Sequence, residues 1–173
     1  MSPWRIGTAD TVCTTRRRAS APRLSFSGAA TISAMMQGFY KEVVLDHYQR
    51  PRNRGELENA DIEEHLNNPL CGDEVTVYAK LRDGKVANIR FTGRGCSISQ
   101  ASASMLTERL SGKDREEAEA EIEAFLEMMR TEEKEELGDL AALKGIIQTP
   151  NRVRCATLAW DAFSKGFGNY YHG

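Results

Sequence analysis

Residues 75–92 constrain the fold more than any other stretch of the chain. Val75, Val77, Ala79 and Leu81 alternate with Thr76, Tyr78, Lys80 and Arg82, the period of two that marks a strand with one buried face. Asp83-Gly84 follows, a dipeptide that readily adopts the positive backbone angles of a tight hairpin. Lys85 to Thr92 then returns with Ala87, Ile89 and Phe91 on one face. The middle of the chain is therefore an antiparallel meander.

Helical patterns surround the meander. Residues 38–50 carry Phe39, Tyr40, Val43, Val44, His47 and Tyr48 at helical spacing until Pro51 ends the run. A short first strand is expected at residues 62–66. Beyond the meander, residues 97–106 open a helix of small residues, and residues 113–130 form a charged helix with Ala118, Ile122, Phe125, Leu126 and Met129 as its apolar stripe. A short helix at 138–147, a loop at 149–155 and a last helix from 156 to about 165 complete the pattern. The expected fold is α+β: a small antiparallel sheet of about three strands flanked by helices.

A chain of 173 residues supports one domain of ordinary size, assigned here to residues 36–173. Residues 1–35 hold five Arg and one acid, with no apolar periodicity, and composition predicts a disordered extension. The Met35-Met36 pair points to a false upstream start rather than to an organelle transit peptide, so a cytoplasmic location is expected. Cys13 falls in this segment and is given no role. The remainder has 18 basic and 24 acidic residues, a formal charge of -6, which argues against a nucleic-acid partner. No long apolar run suits a membrane span. The acidic stretch from Asp114 to Glu136, eleven acids against three bases, reads as a solvated face.

Cys71, Cys96 and Cys155 are too sparse for a disulfide framework. They leave metal binding, redox chemistry or burial as small hydrophobes as the alternatives. Spacing alone matches no short zinc-finger rule, so context decides. Cys71 follows a Pro turn in Asn67-Asn68-Pro69-Leu70-Cys71-Gly72-Asp73, Cys96 follows Gly93-Arg94-Gly95 before a helix, and Cys155 follows a Pro loop before another. A thiol at a helix N-terminus is acidified by the dipole and free amides. With Asp73 two residues past Cys71, the set Cys71, Asp73, Cys96 and Cys155 supplies the four ligands that a closed zinc site wants. Gly93-Arg94-Gly95 lacks the third glycine of a dinucleotide fingerprint and follows a hairpin. His47, His65 and His172 read as structural or exposed.

Residues 40–53, Asn68-Pro69-Leu70-Cys71-Gly72-Asp73, residues 93–104 and Arg152-Val153-Arg154-Cys155-Ala156-Thr157-Leu158 resemble the SufU branch of the IscU/NifU-type iron-sulfur assembly proteins, over nearly all of residues 37–167. The resemblance implies a SufE/NifU-like fold with one metal site at the loop tips. IscU-type scaffolds carry a His before the third cysteine. This chain has Arg154, which cannot ligate a metal at neutral pH, and a longer stretch between the second and third cysteines, the extra residues lying roughly at 130–143. Both features imply the zinc-bound, sulfur-transferring branch, in which Cys71 accepts persulfide sulfur from a SufS-type cysteine desulfurase for a downstream assembly scaffold. Charge and position make Arg152 the candidate to steady the departing thiolate. A scaffold that holds an iron-sulfur cluster on the same ligands is the alternative, and a purely structural zinc is a third.

Overall fold

A computed structural model describes residue 38, residues 41–131 and residues 137–172. The expectations placed on residues 1–35, and on the part of the 130–143 stretch at 132–136, lie outside them. Residues 41–49 form helix α1. Strands β1 (Ile62–Asn68), β2 (Asp73–Arg82) and β3 (Lys85–Arg94) follow, then helices α2 (Ser97–Leu110) and α3 (Arg115–Arg130), a 3-10 helix (Gly138–Ile146) and α4 (Pro150–His172).

The three strands form one antiparallel sheet in the order β1-β2-β3. Asp83 and Gly84 turn between β2 and β3 with φ of 53° and 76°, as the two-residue turn requires. The register slips once: Leu81 pairs with Val86 and Lys80 with Asn88, so Ala87 is the extra residue of a bulge. Val86 therefore takes the buried position expected for Ala87, which is exposed, while Ile89 and Phe91 are buried as the alternation predicts. Tyr78, expected on the open face, is also largely covered and meets Thr92 Oγ1 through its hydroxyl at 3.4 Å.

The inward face of the sheet packs on α2 and α4. Val75, Val77, Ala79, Ile89 and Phe91 meet Ala103, Leu106, Trp160 and Phe163 in one buried cluster. α4 lies close on β1 because residue 166 is glycine: a Cβ there would come within 2.5 Å of Ile62 Cγ2. Lys165 beside it pairs with Glu64 of β1. Ser102 ties α2 to α4, donating to the Ala156 carbonyl at 2.6 Å and accepting from Trp160 Nε1 at 3.1 Å. These contacts fix the two helices that carry Cys96 and Cys155.

α3 begins two residues later than expected, at a capping box. The Asp114 side chain accepts the Glu117 N–H at 3.0 Å and Glu117 returns a bond to the Asp114 N–H at 3.1 Å, a cap that stabilises a helix by about 1 kcal/mol. Phe125 of α3 stacks on Trp160 with ring centroids 4.2 Å apart. The expected helix at 138–147 is a 3-10 helix. α4 is longer than expected at both ends: Pro150 occupies its first turn, where the missing N–H costs nothing, and the Thr149 carbonyl accepts from Arg152 and Val153 at 2.8 and 3.1 Å.

Candidate metal centre

The turn between β1 and β2 is shaped by one residue. Asn68 pairs with Asp73 across the ladder, its carbonyl accepts the N–H groups of Cys71 and Gly72 at 3.3 and 2.9 Å, and its side-chain oxygen accepts the Leu70 N–H at 3.2 Å. Gly72 closes the turn at φ 70°, a conformation that a side chain would strain. Cys71 is thereby held exposed on the outside of the turn, and Asp73 turns inward and is buried.

Cys96 is the N-cap of α2, at the helix start that the sequence predicts. Cys155 is not at a helix start. It lies in the second turn of α4, because that helix already begins at Pro150, and the dipole argument therefore applies to Cys96 alone. Cys155 is buried, its thiol reaching the Asn151 carbonyl at 3.3 Å.

The three elements converge. Cys71 Sγ lies 3.2 Å from Cys155 Sγ, and a ligand atom from each of Cys71, Asp73 and Cys155 falls within 4.8 Å of the other two. Cys96 joins through Asp73: its N–H donates to Oδ1 at 3.0 Å and its Sγ lies 3.3 Å from Oδ2. Sulfurs bound tetrahedrally to one zinc at about 2.3 Å would stand about 3.8 Å apart, so Cys71, Asp73 and Cys155 suit that ion by chemistry and lie close to the spacing it wants, while Cys96 falls outside that group and meets it at Asp73.

Electrostatics agrees with a site that expects a cation. Burial pushes the Asp73 carboxyl up, but hydrogen bonds from the Cys155 thiol, the Cys96 N–H and thiol and the Cys71 thiol outweigh it and leave the group below its ordinary value. Burial, with the neighbouring Asp73 and Cys71, holds the Cys155 thiol far above the usual cysteine range. Without a cation the cluster thus keeps its charge on Asp73 and its proton on Cys155. A bound divalent ion would remove the proton from Cys155 as well and leave Asp73 charged, because coordination removes thiol protons.

Arg152 sits one turn before Cys155 on α4, exposed, and no described residue pairs with its guanidinium. Arg154 is exposed as well. Two residues that the sequence reading passed over belong to the site. Asn68 points its amide at Cys155 Sγ from 3.9 Å, and the buried Ser99 lies 3.8 Å from Cys96 Sγ while donating to the Cys96 carbonyl at 3.0 Å. Asn68 was legible as the Asn of an Asn-Pro turn; Ser99 carried no separate signal among the serines of α2.

Comparison with known proteins accords with this geometry. The model of the NifU-like N-terminal domain family matches residues 39–172. The chain is 43% identical over 139 residues to a zinc-dependent sulfurtransferase SufU of Bacillus subtilis (strain 168), covering 79% of this chain and 94% of that protein. It is 41% identical over 129 residues to an iron-sulfur cluster assembly scaffold protein IscU of Streptococcus pyogenes serotype M1, covering 73% and 80%. Among solved structures, an iron-sulfur cluster assembly scaffold protein for the SUF system from Fervidobacterium islandicum AW-1 superposes with a TM-score of 0.69 at 33% identity, covering 73% of this chain and 94% of that one. A NifU-like N-terminal protein from Brucella abortus superposes with a TM-score of 0.70 at 25% identity, covering 80% and 98%.

Proposed function

Since the chain belongs to the NifU-like N-terminal domain family, we propose that residues 36–173 act in iron-sulfur cluster assembly as a zinc-dependent acceptor and carrier of persulfide sulfur, a sulfurtransferase-like role. The observation that carries this reading is the exposure of Cys71 on its turn while Asp73 and Cys155 beneath it are buried. One thiol of the cluster can meet a large partner; the others serve to hold and charge it.

Cys71, Asp73, Cys96 and Cys155 would hold the zinc, which when bound supplies positive charge that keeps the thiols deprotonated at neutral pH. The Cys71 thiolate attacks the outer sulfur of a cysteine persulfide presented by a SufS-type cysteine desulfurase. The new bond from Cys71 Sγ to that sulfur forms as the donor's S–S bond breaks, and the electron pair leaves on the donor's thiolate. No external oxidant or reductant is needed. Arg152, without a partner among the described residues and one helical turn from Cys155, steadies the negative charge that appears on the leaving sulfur. Asn68 and Ser99 orient the thiols they face, as outer-shell partners of a metal site do. The sulfur then passes to a downstream assembly scaffold. Free thiols of this kind suit a reducing compartment, and the reading places the activity in the cytoplasm.

The test is whether purified protein contains about one zinc per chain and accelerates cysteine desulfurase turnover. The expected result is acceleration by wild type and none by Cys71→Ala; full acceleration by Cys71→Ala refutes the assignment. Three thiolates and a carboxylate also suit an iron-sulfur cluster, and the similarity to proteins named as scaffolds supports that second reading. Anaerobic reconstitution with iron and sulfide separates the two: a stable visible chromophore that moves intact to an apo-ferredoxin favours the scaffold.

A further inference from the structure

A cavity of about 630 Å³ opens between α1, the start of α2 and the 3-10 helix. Its walls are apolar, formed by Val44, Leu45, Ile98, Leu143 and Ile146. Ser97 is part of the wall and is also the residue after Cys96, so the cavity and the thiol cluster share an edge. Four large apolar side chains are exposed among the described residues: Leu45 (49%), Tyr48 (43%), Leu70 (65%) and Tyr170 (49%). Leu45 lines the cavity, Tyr48 stands one turn further along α1, and Leu70 precedes Cys71. Tyr170 meets Tyr171 edge-on. An exposed apolar side chain on a cavity wall, with another next to a reactive thiol, marks a surface for another protein.

We infer that this cavity seats an apolar side chain of the persulfide-donating protein, with a carboxylate of that protein on Lys41. The inference rests on the proposed role of Cys71 as acceptor. Sulfur transfer requires the donor sulfur to come within bonding distance of Cys71 Sγ, so the donor's surface must lie over the β1-β2 turn and the α2 N-terminus. An interface of ordinary size covers about 800 Å² per partner, a disc of about 16 Å radius, and a disc of that size extends from the thiols over the mouth of the cavity. Lys41 adds the charge. It lines the cavity, is exposed, and has no ion-pair partner among the described residues, which favours an acidic group beside the apolar anchor and steers association.

The experiment uses the full chain with its zinc, a SufS-type cysteine desulfurase and L-cysteine, and measures turnover against the concentration of the acceptor protein. Leu45→Asp places a charge on the cavity wall at a half-exposed position that folding tolerates; Lys41→Glu reverses the rim charge. The expected result is a rise of about tenfold in half-saturating concentration for Leu45→Asp and a smaller rise for Lys41→Glu that shrinks with added salt. Turnover at saturation, zinc content and melting temperature should stay at wild-type values. Unshifted half-saturation in both variants, with wild type active, overturns the inference and leaves the acceptor role standing. Two other occupants are also decided. If removing residues 1–34 lowers the half-saturating concentration, the chain's own leading segment fills the cavity. If Leu45→Asp converts a dimer to a monomer without shifting half-saturation, a second copy does. Either result overturns the inference. A wild-type protein without effect on turnover removes the acceptor role and this inference together.

Discussion

Gly95→Ala should separate the metal centre from the fold that carries it. A Cβ on residue 95 would stand 2.6 Å from Ser99 Oγ and 2.7 Å from both Cγ and Oδ1 of Asp73. To regain ordinary contact at 3.4 Å the carboxylate must retreat by about 0.7 Å. The Cys96 N–H bond to Oδ1, now 3.0 Å, would then stretch beyond the useful range. Losing that charge-assisted bond costs about 1.5–3 kcal/mol and the overpacking about 1–3 kcal/mol, and the φ of 159° at residue 95 adds strain that outweighs the entropy alanine removes from the unfolded chain. A net destabilisation of at least about 2.5 kcal/mol follows, with zinc affinity lower by at least about 10-fold because Asp73 no longer stands at its place. Gly93→Ala is the control. Its Cβ would meet the Glu74 carbonyl at 2.3 Å and Val75 Cα at 2.9 Å, backbone atoms of the sheet rather than a ligand. Urea unfolding of the metal-free proteins and competition with a zinc chelator give the two quantities. Gly95→Ala should lose metal affinity out of proportion to stability, and Gly93→Ala the reverse. Equal zinc affinity for Gly95→Ala and wild type would refute the placing of Asp73 in the site.

Three further outcomes are expected. Adding zinc to metal-free protein at pH 7 should release at least about one proton per chain, because the Cys155 thiol that the empty cluster keeps protonated must ionise; a weakly buffered indicator dye reads the release, and none would contradict thiolate ligation. His47 is buried, with Nδ1 2.9 Å from Ser104 Oγ and Nε2 3.7 Å from Glu108; burial, helped by Arg52, lowers its pKa from 6.5. Its contribution is complete above pH 6.5 and is lost as pH falls through the lower folded value, since the unfolded chain then binds a proton that the fold resists; His47→Gln should flatten the fall of melting temperature below pH 6.5, and an unchanged slope would rule the residue out. Arg152→Ala should slow sulfur transfer about tenfold, ~1.4 kcal/mol, in single-turnover labelling with zinc content intact; an unchanged rate removes Arg152 from the mechanism.

The elements that local chemistry dictates were legible in the sequence. The Asp83-Gly84 turn, the alternation from Val75 to Leu81 and the cap at Cys96 each follow from two or three neighbouring residues. Where the structure departs, a distant partner decides. The bulge at Ala87 lets Val86 N–H reach the Lys113 carbonyl at 2.8 Å and Gly112 N–H reach the Val86 carbonyl at 2.8 Å, a pairing between β3 and the end of α2 that no local pattern announces. The early start of α4 depends on Thr149, whose carbonyl accepts the first helical N–H groups, and on Gly166 seating the helix against Ile62. In the centre, residue types and their order named four candidates, of which the structure groups Cys71, Asp73 and Cys155 and sets Cys96 against Asp73. The sharing of Asp73 between Cys96 and the other two thiols required the tertiary approach that Gly95 permits.

Zinc-edge X-ray absorption on the purified protein decides whether these four side chains share one ion. The expected result is four-coordinate zinc with three sulfurs at about 2.3 Å and one oxygen at about 2.0–2.2 Å, and the loss of one sulfur from the shell in Cys155→Ala. A shell of nitrogen and oxygen alone, or zinc whose sulfur count is indifferent to Cys155, would contradict it.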